Sequence, residues 1–460
     1  MIKTLKEERK ILVVSFNWPP DTAIGAGRPT QLVSAFLKQG IQSIVLTVNP
    51  KAYGQSRSQD VAAMEGVTVI RTWYFPNPLH ILSRLLKSFR WQKARMSRDS
   101  RSVSGTVKEQ AGNSKMNKSM WTQLKRELLA LFFTPDEFIG WGVVAVVPAI
   151  WAIKTYKPST IISTGPPFTS QLIALIARTF CRVTWIADFR DPWAHSPTRP
   201  REITSKLSEQ INEWLEKLVI HWADHVVFVS SATADWYKKR YPFACHSTWH
   251  VISNGFAEEE FRILRASEPR NRTFTISHIG SIEYQRSPLP VFQAIKELLS
   301  EGVFMREQVK VRLIGKCGKV NNLPLQDLIN QYELEGVIEM VEPVPRGIAL
   351  KEMCRAHVLL LLANDQRLQI PGKVYEYIGS GRPILAIAEH DSATADLMRQ
   401  IGGVVTEVQE VACIKKALAQ WYHESASLQR MRDQSQDAAA ERLGTFEWAV
   451  LASQYKKIIA

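Results

Sequence analysis

The chain has little of what usually announces a chemistry. Its 460 residues include only five cysteines (Cys181, Cys245, Cys317, Cys354 and Cys413), scattered and with no Cys-x-x-Cys pair. That usage argues against a disulfide framework or a cysteine zinc site and fits a reducing compartment. The ten histidines form no metal-like cluster, so no metal site is expected; His195 and His278 read as structural histidines in loops near candidate sites. There is no Gly-x-Ser-x-Gly elbow and no Walker loop. The uncharged, strongly apolar run Phe138–Ile153 contains Pro148 and is shorter than the roughly 20 residues a spanning helix needs. It reads as a buried or interfacial helix. Met1–Lys10 is charged and leads straight into a strand, so no signal peptide is expected. No repeat of about 20–50 residues is visible.

What is present is ordinary in bulk and uneven in detail. Hydrophobic content of 45% and charged content of 22% suit a globular protein, and the length suggests two or three domains of about 100–200 residues. The net charge is +14, and most of it comes from one place. Residues 79–128 hold twelve Lys/Arg against three Asp/Glu, a net of +9, with Phe89, Trp91 and Trp121 among them. Basic plus aromatic composition suits an anionic membrane surface, rather than nucleic acid. The alternative is a solvated insertion without a partner, which the polar stretch Ser97–Ser119 also fits.

Apolar runs alternate with helical spacings twice over. The first series has strands at Ile11–Phe16, Ser43–Val48, Val67–Trp73, Thr160–Ser163, Val183–Ala187, His225–Val229 and His250–Ile252. Helices are expected at Pro29–Gln39, at Thr169–Phe180, within Ile203–Trp222 and from Ala232. The second series has strands at Phe274–His278, Val309–Ile314, Ile338–Val341, Val358–Leu362, Ile384–Ile387 and Val404–Glu407. The polar stretch ending at Arg272 separates them, and Phe446–Ile459 reads as an amphipathic closing helix. Such alternation predicts α/β architecture with doubly wound parallel sheets. Ligands of such sheets collect beyond the carboxyl ends of the strands, so those loops carry the functional weight.

Residues 371–383, Pro-Gly-Lys-Val-Tyr-Glu-Tyr-Ile-Gly-Ser-Gly-Arg-Pro, are the most informative. Gly372 lets a ligand approach the backbone. The helix starting there offers N–H groups and a positive dipole end to an anion. Lys373 adds a full charge, and Glu376, a turn later, can accept bonds from hydroxyls. Gly381 and Pro383 end the helix. The combination reads as a binder of a sugar-like diphosphate. After the strand at 274–278, Gly280 opens a loop to Arg286, which could fork onto a diphosphate or simply be a surface arginine. In the first half, Gly25, Gly27 and Arg28 could receive an anion or sugar, or form a tight turn beside a solvated Arg28. Gly165, before Pro166-Pro167, leaves room at a strand end or makes a rigid turn. Asp188 and Asp191 flank Arg190: they could bind an acceptor hydroxyl, one as base, or pair internally with Arg190.

Together these segments, with Ile252-Ser253-Asn254-Gly255-Phe256, resemble the GT-B glycosyltransferases, and within them the retaining family numbered 4. The resemblance covers nearly the whole chain. It implies two Rossmann-like domains facing across a cleft. The acceptor-binding domain would be 1–258, with the basic insertion at about 76–134. The nucleotide-sugar-binding domain would be 259–435, and a C-terminal helix at 436–460 would pack back on the first. It also implies sugar transfer from a UDP- or GDP-linked donor to a lipid-linked or polysaccharide acceptor, with retention and with no metal or other cofactor. The place would be the inner face of the cytoplasmic membrane, in surface polysaccharide or glycolipid synthesis. The donor would be held by Gly280, Arg286, Gly372, Lys373 and Glu376, with Arg286 and Lys373 assisting departure of the diphosphate. Asp188 or Asp191 would orient the acceptor beside Gly25, Gly27, Arg28 and Gly165. One position departs from the family. Its usual pair of glutamates lies eight residues apart; Glu376 matches the second, but the first is Leu368, with Asp365 as the nearby substitute. A nucleotide-sugar epimerase of the same fold, or a non-catalytic scaffold at a membrane complex, are the alternatives.

Overall fold

A computed structural model describes residues 9–21, 24–50, 64–75, 127, 130–131, 133–194, 205–242, 248–282, 286–320, 323–428 and 444–459. Most of the basic segment, and His195, lie outside the described residues.

The first series gives strands β1 (Lys10–Val14), β2 (Gln42–Val48), β3 (Val67–Thr72), β4 (Thr160–Gly165), β5 (Thr184–Phe189), β6 (His225–Phe228) and β7 (Trp249–Val251). They form one sheet in the order β3-β2-β1-β4-β5-β6-β7. Its centre is parallel, with Leu12 opposite Ile44 on one side and Ile161 on the other. The second series gives β8 (Phe274–Ile279), β9 (Val309–Ile314), β10 (Lys319–Val320), β11 (Leu323–Pro324), β12 (Ile338–Val341), β13 (Val358–Leu362), β14 (Ile384–Ile387) and β15 (Val404–Thr406). Six of these make a parallel sheet in the order β12-β9-β8-β13-β14-β15, while β10 and β11 pair as a small antiparallel ribbon. The central strand β13 is Val-Leu-Leu-Leu-Leu, buried at every position. A strand covered by helices on both faces has no polar side to show, hence the unbroken apolar run.

The chain divides into two compact units. The first comprises the described residues of Met1–Val227, Tyr241–Trp249 and Ile459; the second comprises Phe228–Arg240 and His250–Ile458. The polar stretch that reads as a boundary contains a helix, Glu258–Ser267, within the second unit. The closing helix, Trp448–Lys456, also belongs there. It is pinned by the Asn-Gly-Phe segment: Phe256 N–H donates to the Phe446 carbonyl (3.0 Å), and a Cβ on Gly255 would lie 2.3 Å from that carbonyl oxygen. Only glycine admits so close an approach.

In each sheet the chain reverses direction once, between β1 and β4 in the first and between β8 and β13 in the second. At such switch points the following loops splay apart and leave a crevice. The uncharged run at 138–153 is the helix Ile139–Tyr156. It buries Trp141, Ala145, Ala149 and Ala152 and packs on β2 and β3. Among the described residues it is one helix long and apolar enough to cross a membrane, by length and composition.

Candidate functional site

In the second unit the crevice is lined by the loops that follow β8 and β13. Gly280 follows β8 directly, at φ +135°, a conformation L side chains avoid. A Cβ there would lie 2.5 Å from Lys373 Nζ. Gly280 is therefore required by its backbone, and any side chain there would push the lysine tip aside. Lys373 is the first residue of the helix Lys373–Ser380. Its ammonium lies 3.4 Å from His278 Nε2. His278 is a fully buried residue of β8, not a loop residue, and its Nδ1 is 3.0 Å from the Leu360 carbonyl. With Nδ1–H donating to that carbonyl, Nε2 is left as a lone-pair face toward the lysine. Burial, then the charges of Lys373 and Arg286, hold the His278 pKa well below the ordinary value. The Cys317 thiol donates to the Gly280 carbonyl (3.4 Å) and closes the floor. The Arg286 guanidinium reaches the β13 loop, where the Gln366 amide, turned with its oxygen toward the guanidinium, accepts from Nε and Nη2 (3.1 and 2.6 Å).

The electrostatics of this cluster are lopsided. Burial, and then repulsion by Arg286, lower the Lys373 pKa from 10.5 to about 7; Cys317 opposes this weakly. Among the described residues no carboxylate figures in that balance. A buried cation without a counter-anion beside a second cation gives up its proton. An anion placed between Arg286 and Lys373 would restore the charge.

Glu376 lies a turn beyond Lys373. Arg346 holds it (Nε to Oε1, 3.2 Å), and Arg346 also pairs with Glu260 (2.9 Å). Burial raises its pKa while Arg346 pulls the other way. Asp365 is exposed at φ +59°, and its amide donates to the Glu389 carboxylate (2.6 Å). Leu368 is fixed by its carbonyl, which accepts from Thr233 Oγ1 (2.8 Å). Gly372 is helical (φ −56°), exposed and open: a Cβ there would meet nothing within 4 Å. Its backbone does not demand glycine, but the space beside it is clear.

In the first unit a second cluster sits at the carboxyl ends of β1, β4 and β5. Asp188 is completely buried. Its carboxylate accepts from Arg28 at both oxygens (3.0 and 2.8 Å) and from the Thr164 hydroxyl (2.7 Å). Its backbone carbonyl accepts from Gln171 (3.0 Å). Arg190 pairs elsewhere. It donates to the carbonyls of Gly25 (2.5 Å) and Pro166. The Gly25 contact has a local cause. The helix starts at Ile24, earlier than the sequence suggests, so Pro29 lies inside it. Proline has no N–H to give the carbonyl four residues back, and Arg190 supplies that missing donor. Gly25 and Arg28 thus belong to the helix's opening turns rather than to a loop. Gly25 is crowded by Asn17 (2.4 Å to a Cβ), whereas Gly27 faces open space. Gly165 is pressed against the Phe168 ring (2.9 Å), and its carbonyl accepts from the Arg190 amide (2.9 Å). Asp191 is half-buried at the end of the same loop. The loop is anchored from behind by Glu216, a fully buried carboxylate that accepts from the Ala194 amide (2.7 Å) and the Tyr241 hydroxyl (2.5 Å).

Comparison with known proteins bears on the fold. Residues 121–255 match the family model described as glycosyl transferase 4-like domain. No curated protein sequence matches the chain. Among solved structures it is similar to sucrose-phosphate synthase from Thermosynechococcus elongatus (TM-score 0.60, 14% identity, 98% of each chain covered). It is also similar to Anabaena HepE in complex with UDP (TM-score 0.59, 13% identity, 98% of this chain and 99% of that one). A third is trehalose 6-phosphate synthase from Burkholderia multivorans (TM-score 0.59, 12% identity, 98% and 96%). The chain has the GT-B fold.

Seen in this fold, the candidate residues separate into three kinds. Gly280, Arg286 and Lys373 share one crevice, with Gly372 and Glu376 on the helix that lines it. Asp188 and Arg28 are together, but as a closed ion pair: an internal pairing was among the sequence readings, and its partner is Arg28 rather than Arg190. Asp188 is therefore spoken for, and neither of its oxygens faces an acceptor. Asp365 directs its backbone, at a left-handed φ, toward Glu389. Cys317 and Gln366 are site residues that sequence reading missed; His278, read as a structural histidine in a loop, lies in β8 against Lys373. No sequence pattern signals either of the first two; for His278 the only signal was a histidine two residues before the loop glycine.

Proposed function

We propose that this chain is a glycosyltransferase that moves a sugar from a nucleoside-diphosphate sugar to an acceptor hydroxyl. The observation that carries the reading is the Gly280–Lys373–Arg286 crevice, a site with two convergent cations and room for backbone approach. The charge of the departing diphosphate would fall on Arg286, on Lys373 and on the helix end at Gly372. Lys373 would take up its proton as the anion arrives, so that full charge develops where the leaving group needs it. Removing one preorganised donor of this kind costs roughly 3–4 kcal/mol of transition-state stabilisation, about 10²-fold or more in rate. Because protein cations carry this load, the transfer needs no divalent ion. Glu376 would accept bonds from the donor's ribose, with Arg346 fixing its orientation.

Among the described residues no side chain in the crevice is an evident covalent nucleophile. By resemblance to the retaining family numbered 4, the reading is transfer with retention, the acceptor attacking on the face that the diphosphate leaves. Of the two aspartates considered for the acceptor, Asp191 is the candidate, since Asp188 is enclosed by Arg28 and Thr164. The acceptor is a lipid-linked or polymeric glycan, in keeping with the basic segment and with a neighbouring fold named a lipopolysaccharide outer core galactosyltransferase. UDP is the first donor base to try, because HepE was solved with UDP and with UDP-glucose.

Titration calorimetry with UDP and GDP tests the site, and labelled donor with and without membrane extract tests the reaction. Binding of neither nucleotide would make the chain a scaffold. Free epimer released without acceptor would make it an epimerase.

A further inference from the structure

The helices Ile139–Tyr156, Thr169–Phe180 and Lys206–Trp222 lead from β3 to β4, from β4 to β5 and from β5 to β6. All three crossings run the same way along the sheet. Right-handed connections therefore lay the three helices on one face of it, where they pack in that order. A Cβ on Gly142 of the first would lie 3.0 Å from Thr169 of the second. Arg178 of the second donates to the Trp222 carbonyl of the third.

The outward side of this layer is not a solvated one. Val143 and Val147 are 73% and 71% exposed, and Trp151 continues the same i, i+4 row at 51%. Phe180 on the next helix is 67% exposed, and Trp214 and Trp222 on the third are both more than half exposed. No charged residue occurs between Ile139 and Ile153, so the first helix has no polar side to turn to water. A single exposed apolar side chain is unremarkable, but a layer of them with three tryptophans marks a docking surface.

We propose that this three-helix face of the first unit docks flat on an anionic phospholipid leaflet. The charge of the surroundings selects the occupant. Lys154, Lys157 and Lys217, on these helices or directly after them, are exposed. Phe75 packs its carbonyl on Gly140 in the opening turn of the first helix. From Phe75 the chain runs into residues 79–128, with twelve Lys/Arg against three Asp/Glu. Exposed lysines on an apolar, tryptophan-bearing face, in a chain with so basic a segment, match a headgroup layer over acyl chains. A second copy of the chain would bring like charge against like. The inference stands on this face alone; it does not rest on the donor site.

The test sediments the full chain with phosphatidylcholine vesicles and with vesicles that also contain phosphatidylglycerol. The wild type should bind the second kind and release as salt rises. Val147→Asp with Trp151→Asp, at exposed positions, should weaken binding about tenfold or more, with melting temperature and UDP titration unchanged. Equal binding by the double variant would overturn the assigned face. Equal binding to neutral vesicles would overturn the anionic partner. A wild-type dimer that the variant splits, with vesicle binding unchanged, would make the face a contact between copies.

Discussion

Lys373 gives the sharpest prediction because its charge state and its ligand are linked. In the empty crevice its pKa is about 7 instead of 10.5. That gap corresponds to on the order of 5 kcal/mol against carrying the charge there. A diphosphate between Lys373 and Arg286 should bring the pKa back up, so binding must take up a proton. At pH 7, where half of the lysines are neutral, the uptake should be about half a proton per UDP. The sign follows. The bound state has the higher pKa, so affinity is full below pH 7 and is lost as pH rises toward the bound-state value. Between pH 6 and pH 8 the Kd should weaken about tenfold. Calorimetry in two buffers of different ionisation enthalpy reads the uptake directly. Lys373→Met should abolish it; Lys373→Arg, which stays charged, should flatten the pH profile. The same lysine acts oppositely on stability. Its folded pKa is below its unfolded one, so the protein is weakened most below pH 7, and the handicap fades as pH rises toward 10.5. Lys373→Met should therefore melt several degrees higher at pH 6 without nucleotide, and lose the shift that UDP gives the wild type. A pH-independent Kd above pH 7, with no proton uptake, would refute the reasoning.

Other outcomes follow from the same geometry. Arg286→Ala should lower kcat/KM for donor about 10²-fold or more, and chelator should leave wild-type turnover unchanged. Asp188→Asn removes one partner of a buried ion pair, so it should destabilise the first unit by about 3–5 kcal/mol; an unchanged melting curve with kcat lost would instead restore Asp188 as a base. Glu376→Gln should raise donor KM by roughly ten- to a hundredfold, the worth of bonds to a charged group, and Arg346→Ala should produce a weaker version of that effect.

The parallel sheets were legible because apolar runs alternate with helical spacings along the chain. Val358–Leu362 and Val309–Ile314 coincide with β13 and β9. The helix at Lys373 was legible because Gly381, at φ +68°, ends it as a left-handed cap should. The donor crevice was half legible. Gly280, Lys373 and Arg286 stand in strand-end loops, and the topology of parallel sheets says such loops gather. What could not be read was which partner each charge had chosen. Arg190 sits two residues from Asp188, yet Asp188 is taken by Arg28, 160 positions away, while Arg190 repairs the carbonyl that Pro29 leaves bare.

The sequence by itself determined the alternation of elements, the glycines that the backbone requires and the excess of positive charge, since each is a property of local chemistry. Only the tertiary structure decided that His278 and Cys317 would enclose Lys373, that the ammonium would be robbed of its proton, and that one aspartate would be locked away while another stayed near the surface. Those outcomes depend on distances between residues far apart in the chain, and burial converts such distances into charge.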